Sequence, residues 1–353
     1  MAIIVNSLII FYIFVFNIHS AENFNFTNNN VDLELMLSEN KVKQINLNYD
    51  IDDLNDIEGS LLLEEKKAIF NLKSENLNFL FFDKILPKSG KKTNKTIYVN
   101  WTIDKLTISN NYVLQDVLID LTYKSKFIEL SVFDKKRSFE YFIYKNENGP
   151  SPIYLYSDNA GEILKVKKIN KDIVGGKLFI NGIYNNGNEY QAILKVRDFE
   201  IKKDSKYEKL IKATRIFDFV SIVNNSQTKF VYMEVPFKKE KNQIIIEDGF
   251  VVGGMVGFAF SGNKNIKTKI TDIKGFYGPL YLFDRYVEKI PILNNILINN
   301  KKESLLGANF SVNSIKEETS ITINPLSIIT PGKTKRIFKF FDVFKKKDPI
   351  NQE

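Results

Sequence analysis

From residue 22 onward, apolar and polar side chains alternate with a period of two. Val31, Leu33, Leu35 and Leu37 alternate with Asp32, Glu34 and Met36, and Ile45, Leu47 and Tyr49 with Asn46 and Asn48. Ile97, Val99, Trp101 and Ile103 follow the same rule, as do Phe139, Tyr141 and Ile143. The series continues through Tyr190, Ala192, Leu194 and Val196, then Val231, Met233, Val235 and Phe237. It closes with Ile244, Ile246, Phe250 and Val252, then Val256, Phe258 and Phe260, and finally Ala308, Phe310 and Val312 with Ile321 and Ile323. Such alternation puts apolar side chains on one face of a sheet and polar ones on the other. Turns are expected at Asn185-Asn186-Gly187-Asn188, Asp248-Gly249 and Ser261-Gly262-Asn263. The pattern predicts a mainly β protein: an antiparallel meander, a barrel or an elongated curved sheet.

Helical signals are few. Ser205-Lys-Tyr-Glu208 reads as a capping box opening a helix to about Val223. A short turn is expected from Asp158-Asn159, and a broken helical segment over Leu280 to Leu297, interrupted by Pro291. In the last segment Ile337, Phe340, Phe341 and Phe344 recur at helical spacing beside Phe338, with Lys335, Arg336 and Lys339 opposite. This cationic, Phe-rich amphipathic helix suits insertion into a membrane interface. Its other reading is a helix capping the open end of the sheet.

Composition narrows the chemistry. There is no Cys among the 353 residues and a single His, His19, inside an apolar run. Thiolate metal sites, cysteine nucleophiles and a Ser-His-Asp triad are therefore excluded. The net charge of +8 is concentrated, because Lys333 to Lys347 contribute +6 of it. A basic groove for nucleic acid is not expected. Gly253-Gly254 with Gly257 lacks the strand–helix setting of a phosphate loop and reads as a bend in a strand. Asp50, Asp52, Asp53 and Asp56 read as a solvated acidic turn. No cofactor and no enzymatic activity are expected.

The first twenty residues hold no Asp, Glu, Lys or Arg, and Ile3 to Ile18 are largely apolar. That length suits an export signal with cleavage near Ser20 or Ala21, with an uncleaved anchor as the alternative. The expected organisation is a leader or anchor over 1–21, an N-terminal β-repeat region over 22–150, a C-terminal β domain over 151–341 and a basic tail over 342–353.

The C-terminal half carries an ordered set of short motifs. Leu155-Tyr-Ser-Asp-Asn-Ala-Gly-Glu-Ile-Leu164 is followed by Ile173-Val-Gly-Gly-Lys-Leu178, Val196-Arg-Asp-Phe199 and Ile245-Ile-Glu-Asp-Gly249. Gly253-Gly254-Met-Val-Gly257, Ile290-Pro-Ile-Leu-Asn-Asn-Ile-Leu297, Asn324-Pro-Leu326 and Thr330-Pro-Gly332 complete the order. This arrangement resembles the AsmA-like C-terminal domain of YhdP-type envelope proteins related to TamB, over about residues 97 to 341.

The resemblance implies an exported or anchored cell-envelope protein of the periplasm. Its sheets would curl into a groove that shields phospholipid acyl chains between the inner and outer membranes. The residues that would line the groove are Trp101, Tyr190, Leu194, Val196, Val235, Ile244, Ile246, Phe258 and Phe310. For each of them ordinary core packing is the alternative. Stacked at about 4.8 Å, roughly 20 to 25 strands would extend on the order of 100–120 Å. A reduced member, a partial one and the C-terminal piece of a split gene are all compatible with that reach. The competing functional reading is a structural scaffold or assembly factor for envelope proteins, with the apolar face packed and a stable protein partner. A carboxylate hydrolase is the weakest, since no paired-carboxylate motif is present.

Overall fold

The computed structural model describes residues 23–28, 31–38, 41–52, 55–79, 96–124, 127–145, 149, 151–184, 189–202, 228–253, 256–279, 308–315 and 318–325. The chain is mainly β and forms two compact units that divide between Ile169 and Asn170. Strands β9 and β10 of the first unit pair antiparallel on either side of residue 150.

The first unit holds β1 (Asn23–Asn28), β2 (Val31–Ser38), β3 (Lys41–Asp52), β4 (Asn55–Leu63), β5 (Lys67–Asn78), β6 (Thr96–Ser109), β7 (Tyr112–Lys124), β8 (Phe127–Asp134), β9 (Phe139–Lys145) and β10 (Ser151–Ser157). Each strand pairs with the next, antiparallel throughout except for β5 and β6, which run parallel. A parallel pair needs a connection of a dozen or more residues, and the stretch after Asn78 supplies that length. One helix among the described residues, α1 (Ala160–Val166), follows β10. It begins where the Asp158-Asn159 signal placed it, since the Asn159 side chain accepts from the Glu162 N–H at 3.3 Å. The Ser205 capping box, the 280–297 segment, the 335–344 helix and residues 1–21 lie outside the described residues.

The second unit is an antiparallel meander of β11 (Ile173–Tyr184), β12 (Tyr190–Ile201), β13 (Thr228–Glu240), β14 (Gln243–Gly253), β15 (Val256–Asn265), β16 (Thr271–Pro279), β17 (Ala308–Ile315) and β18 (Glu318–Pro325). The Asn185–Asn188 turn signal lies outside the described residues, between the antiparallel strands β11 and β12. The other two turn signals lie within strands. Asp248-Gly249 sits at a register shift inside β14, and Ser261-Gly262-Asn263 runs through the middle of β15. In both places glycine allows close approach across the sheet instead of a reversal of the chain.

The alternation slips phase once in several strands. Trp101 and Ile103 are buried on β6, but so are Leu106 and Ile108. On the paired strand β7, Val117 and Ile119 are buried together with Leu114. The slip lies where Asp116 takes a left-handed φ of 52°. The second unit repeats the device at Asp198, with φ of 53°, beside Gly176. Asp tolerates this conformation because its short polar side chain can bond locally.

Buried polar groups are matched at the ends of strands. The Asp56 carboxylate, expected in a solvated turn, accepts the Glu75 and Asn76 N–H groups at 2.8 and 2.7 Å, where β5 extends past its pairing with β4. At the β8–β9 turn the buried Asp134 carboxylate accepts from the Phe139 N–H at 2.6 Å, the Ser138 hydroxyl at 2.9 Å and the Lys136 N–H at 3.2 Å. Removing that carboxylate leaves buried donors unmatched. Asp134→Ala should therefore lower unfolding stability by about 2–3 kcal/mol. The measurement is a denaturant titration, in which the midpoint falls while the slope stays constant.

Candidate functional site

Directly paired residues in an antiparallel sheet share a face, so the register assigns the predicted lining residues. Eight of the nine fall on one face of the second unit. Leu194 pairs with Val235, Ile246 with Phe237, and Phe310 with Gly275. Val196, Met233, Val251 and Phe258 form one continuous row. Tyr190 joins this face through its ring, 5.9 Å from that of Phe237, and Ile244 through its pairing with Lys239 opposite Tyr190. Trp101 is the exception. It belongs to the first unit, 4% exposed, where its indole N–H donates to Ser74 Oγ at 3.0 Å and that hydroxyl donates to the Asp56 carbonyl. Trp101 is a core residue with its polar atom satisfied.

Exposure falls along the strands of this face. At one end Tyr184, Tyr190, Phe237, Ile244, Ile246, Ile180 and Val235 are half-buried. On β12, at the centre of this face, Ala192 opposite Phe237 is 7% exposed, Leu194 opposite Val235 is 8% exposed, and Val196 one row further is fully buried. Beyond the phase slip at Asp198, Phe199 and Phe230 stack at 5.4 Å with 17° between their planes. Phe230 lies 6.2 Å from Phe258, which in turn lies 5.9 Å from Tyr277 and 6.3 Å from Phe310. All five rings are buried, so the sheet carries a packed aromatic zone there and a half-open aliphatic and tyrosine zone at the opposite strand end.

Glycine makes the aromatic zone possible. A Cβ on Gly275 would overlap the Phe310 ring and the Ala259 carbonyl oxygen, and one on Gly253 would lie 2.8 Å from Phe230 Cδ1. The rings lie flat on the backbone of the neighbouring strand. Gly253 and Gly257 are thus strand residues, and Gly257 pairs with Val252 and Gly278.

The opposite face differs in chemistry. Lys195 pairs with Glu234 at 3.3 Å, Lys229 with Glu200 at 3.8 Å and Lys238 with Glu247 at 2.7 Å, all across neighbouring strands. The Tyr232 hydroxyl donates to Glu234 at 2.6 Å. Burial first, and the Glu234 carboxylate second, push that hydroxyl far above the ordinary tyrosine range. Phe250 and Val252, which the alternation grouped with Ile244 and Ile246, lie on this face beside Tyr232, because the bulge at Gly249 shifts the phase of β14.

On the apolar face, burial likewise raises the Tyr184 and Tyr190 hydroxyls. Both are therefore neutral donors at physiological pH. No group of three or more His, Cys, Asp or Glu suited to a metal occurs among the described residues, and no helix among them is long and apolar enough to cross a membrane. What this face shows is a set of apolar side chains left partly exposed. No protein-family model, no curated protein and no solved structure matches the chain.

Phe199, Phe230 and Tyr277 escaped the sequence reading because they belong to the face only after the phase slip or through pairing. Gly275→Ala should displace the Phe310 ring and destabilise the protein by about 1–3 kcal/mol, the cost of overpacking. Thermal unfolding of the variant beside Phe310→Leu and the double variant measures it. The double variant should recover part of the loss, because the smaller side chain frees the space.

Proposed function

We propose that this chain is a non-enzymatic cell-envelope protein that holds phospholipid acyl chains on the apolar face of its second unit. In this reading it is exported to the periplasm and takes part in moving phospholipid between the inner and outer membranes. The observation that carries the reading is the half-open zone of Ile180, Val235, Phe237, Ile244 and Ile246, apolar side chains left partly exposed beside a sealed aromatic zone. Apolar surface left uncovered in a contiguous zone marks a site for another apolar body. The resemblance of the motif order to AsmA-like envelope domains supports the same class of ligand.

A second reading, a structural scaffold or assembly factor, draws support from a different observation. Val196, Phe258 and Phe310 are at most 8% exposed, as in a face packed for stability alone.

The two readings part on bound lipid. Mass spectrometry of the full chain, expressed in bacteria and extracted gently, should find phospholipid at near-stoichiometric levels. Ile246→Asp places a charge on the half-open zone and should reduce bound lipid about tenfold or more, with the circular dichroism of the sheet unchanged. A lipid-free, monodisperse wild-type protein would sink the lipid reading in favour of the scaffold.

A further inference from the structure

The charged positions of the second unit are divided unevenly between its two faces. Across the described strands, the apolar face presents no acid, and its only charged positions are Lys239 and Lys264. Both lie in a single row at the half-open strand end. That row runs Tyr184, Tyr190, Lys239, Ile244, Lys264 and Thr271 across β11 to β16. The Tyr184 and Tyr190 rings are 5.6 Å apart, and Lys239 Nζ lies 5.6 Å from the Tyr190 ring centroid. Glu234 and Glu247 on the flanking strands project to the opposite face, where Lys195 and Lys238 engage them.

We infer that this row is a headgroup site for an anionic phospholipid, whose acyl chains lie along the half-open zone behind it. The inference rests on the acyl-chain reading above and adds the class of headgroup and the residues that select it. Charge complementarity carries it: two cations in one row, with the Tyr184 and Tyr190 phenols on the Lys239 side, close an otherwise apolar face, an arrangement suited to a phosphate diester bearing a net negative charge. Lys239 and Lys264 stand two strands apart, about 10 Å at the backbone. Their long stems can lie over Ile244 and converge on one headgroup.

The length of the zone agrees. From Lys239 to Val235 and on to Met233, which pairs with the buried Val196, is about 13–20 Å at the rise of a strand. An acyl chain in one leaflet spans about 15 Å, half the hydrocarbon thickness. A chain anchored at the lysine row would reach the aromatic zone and end there.

The test incubates the full chain with vesicles of equal phosphatidylglycerol and phosphatidylcholine, re-isolates it and measures bound lipid by mass spectrometry. Wild type should be enriched in phosphatidylglycerol about tenfold, as two lysines near one phosphate imply. Lys239→Gln with Lys264→Gln should bring the ratio close to that of the vesicles while total lipid is retained, and the corresponding double Arg variant should keep the enrichment. A wild type that takes both lipids equally, or a double Gln variant that keeps the enrichment, overturns the headgroup site and leaves the acyl-chain reading standing. A wild type that takes up neither lipid overturns both.

Discussion

Every feature of the second unit depends on register. In a sheet the side-chain period is two, so one residue of slip carries a side chain from one face to the other. The meander of β11 to β18 keeps its pairing in step across eight strands. Positions far apart in sequence, such as Tyr184 and Lys264, are thereby set in one row. The separation of charge follows from the same constraint: ion pairs form across strands on one face because the register places Lys195 opposite Glu234. A surface pair of this kind adds little stability. Its greater effect is to keep those carboxylates engaged away from the apolar side.

The phase slips are deviations under control. At Asp198 and Gly176 the backbone enters the left-handed region on two neighbouring strands together. Phe199 and Phe230 thereby come to the apolar face and build the aromatic zone with Phe258. Without the slip those rings would sit among Arg197 and Lys195. In the first unit the slip at Asp116 keeps Leu106 and Leu114 in the core alongside Ile103 and Val117. In each unit the sheet pairs a locally unfavourable conformation with better burial of large side chains, and burial is worth more.

This explains how much could be read from the sequence. The fold class was legible because alternation at Tyr190, Ala192, Leu194 and Val196 is a strong local signal. The short helix was legible from Asp158-Asn159. Most of the lining residues fell on a common face for the same reason. Val117, Ile119, Leu121 and Tyr123 carried an equally plain alternation that the sequence reading passed over. What escaped was non-local. Asp248-Gly249 looks like a turn because the residue types that make turns also make bulges, and only the pairing of β14 with β15 tells them apart. Trp101 looked like a lining residue because an isolated strand does not reveal that Ser74 waits across a parallel neighbour. Nothing in the sequence links Lys239 with Lys264. Their shared row exists only once three strands are in register.

The one parallel pairing among the described strands has a consequence for how the chain becomes organised in time. Hairpins such as β6–β7 close over a few residues, and each can form soon after its turn. The pairing of β5 with β6 is different, since its partners stand 29 residues apart along the chain. Closing the longer loop costs more entropy, and none of its contacts is gained until the loop is shut. The first unit is thus two local meanders, β1–β5 and β6–β10, that must find each other. Loop-closure entropy therefore favours the hairpins on either side forming before the β5–β6 seam, across which Trp101 bonds to Ser74.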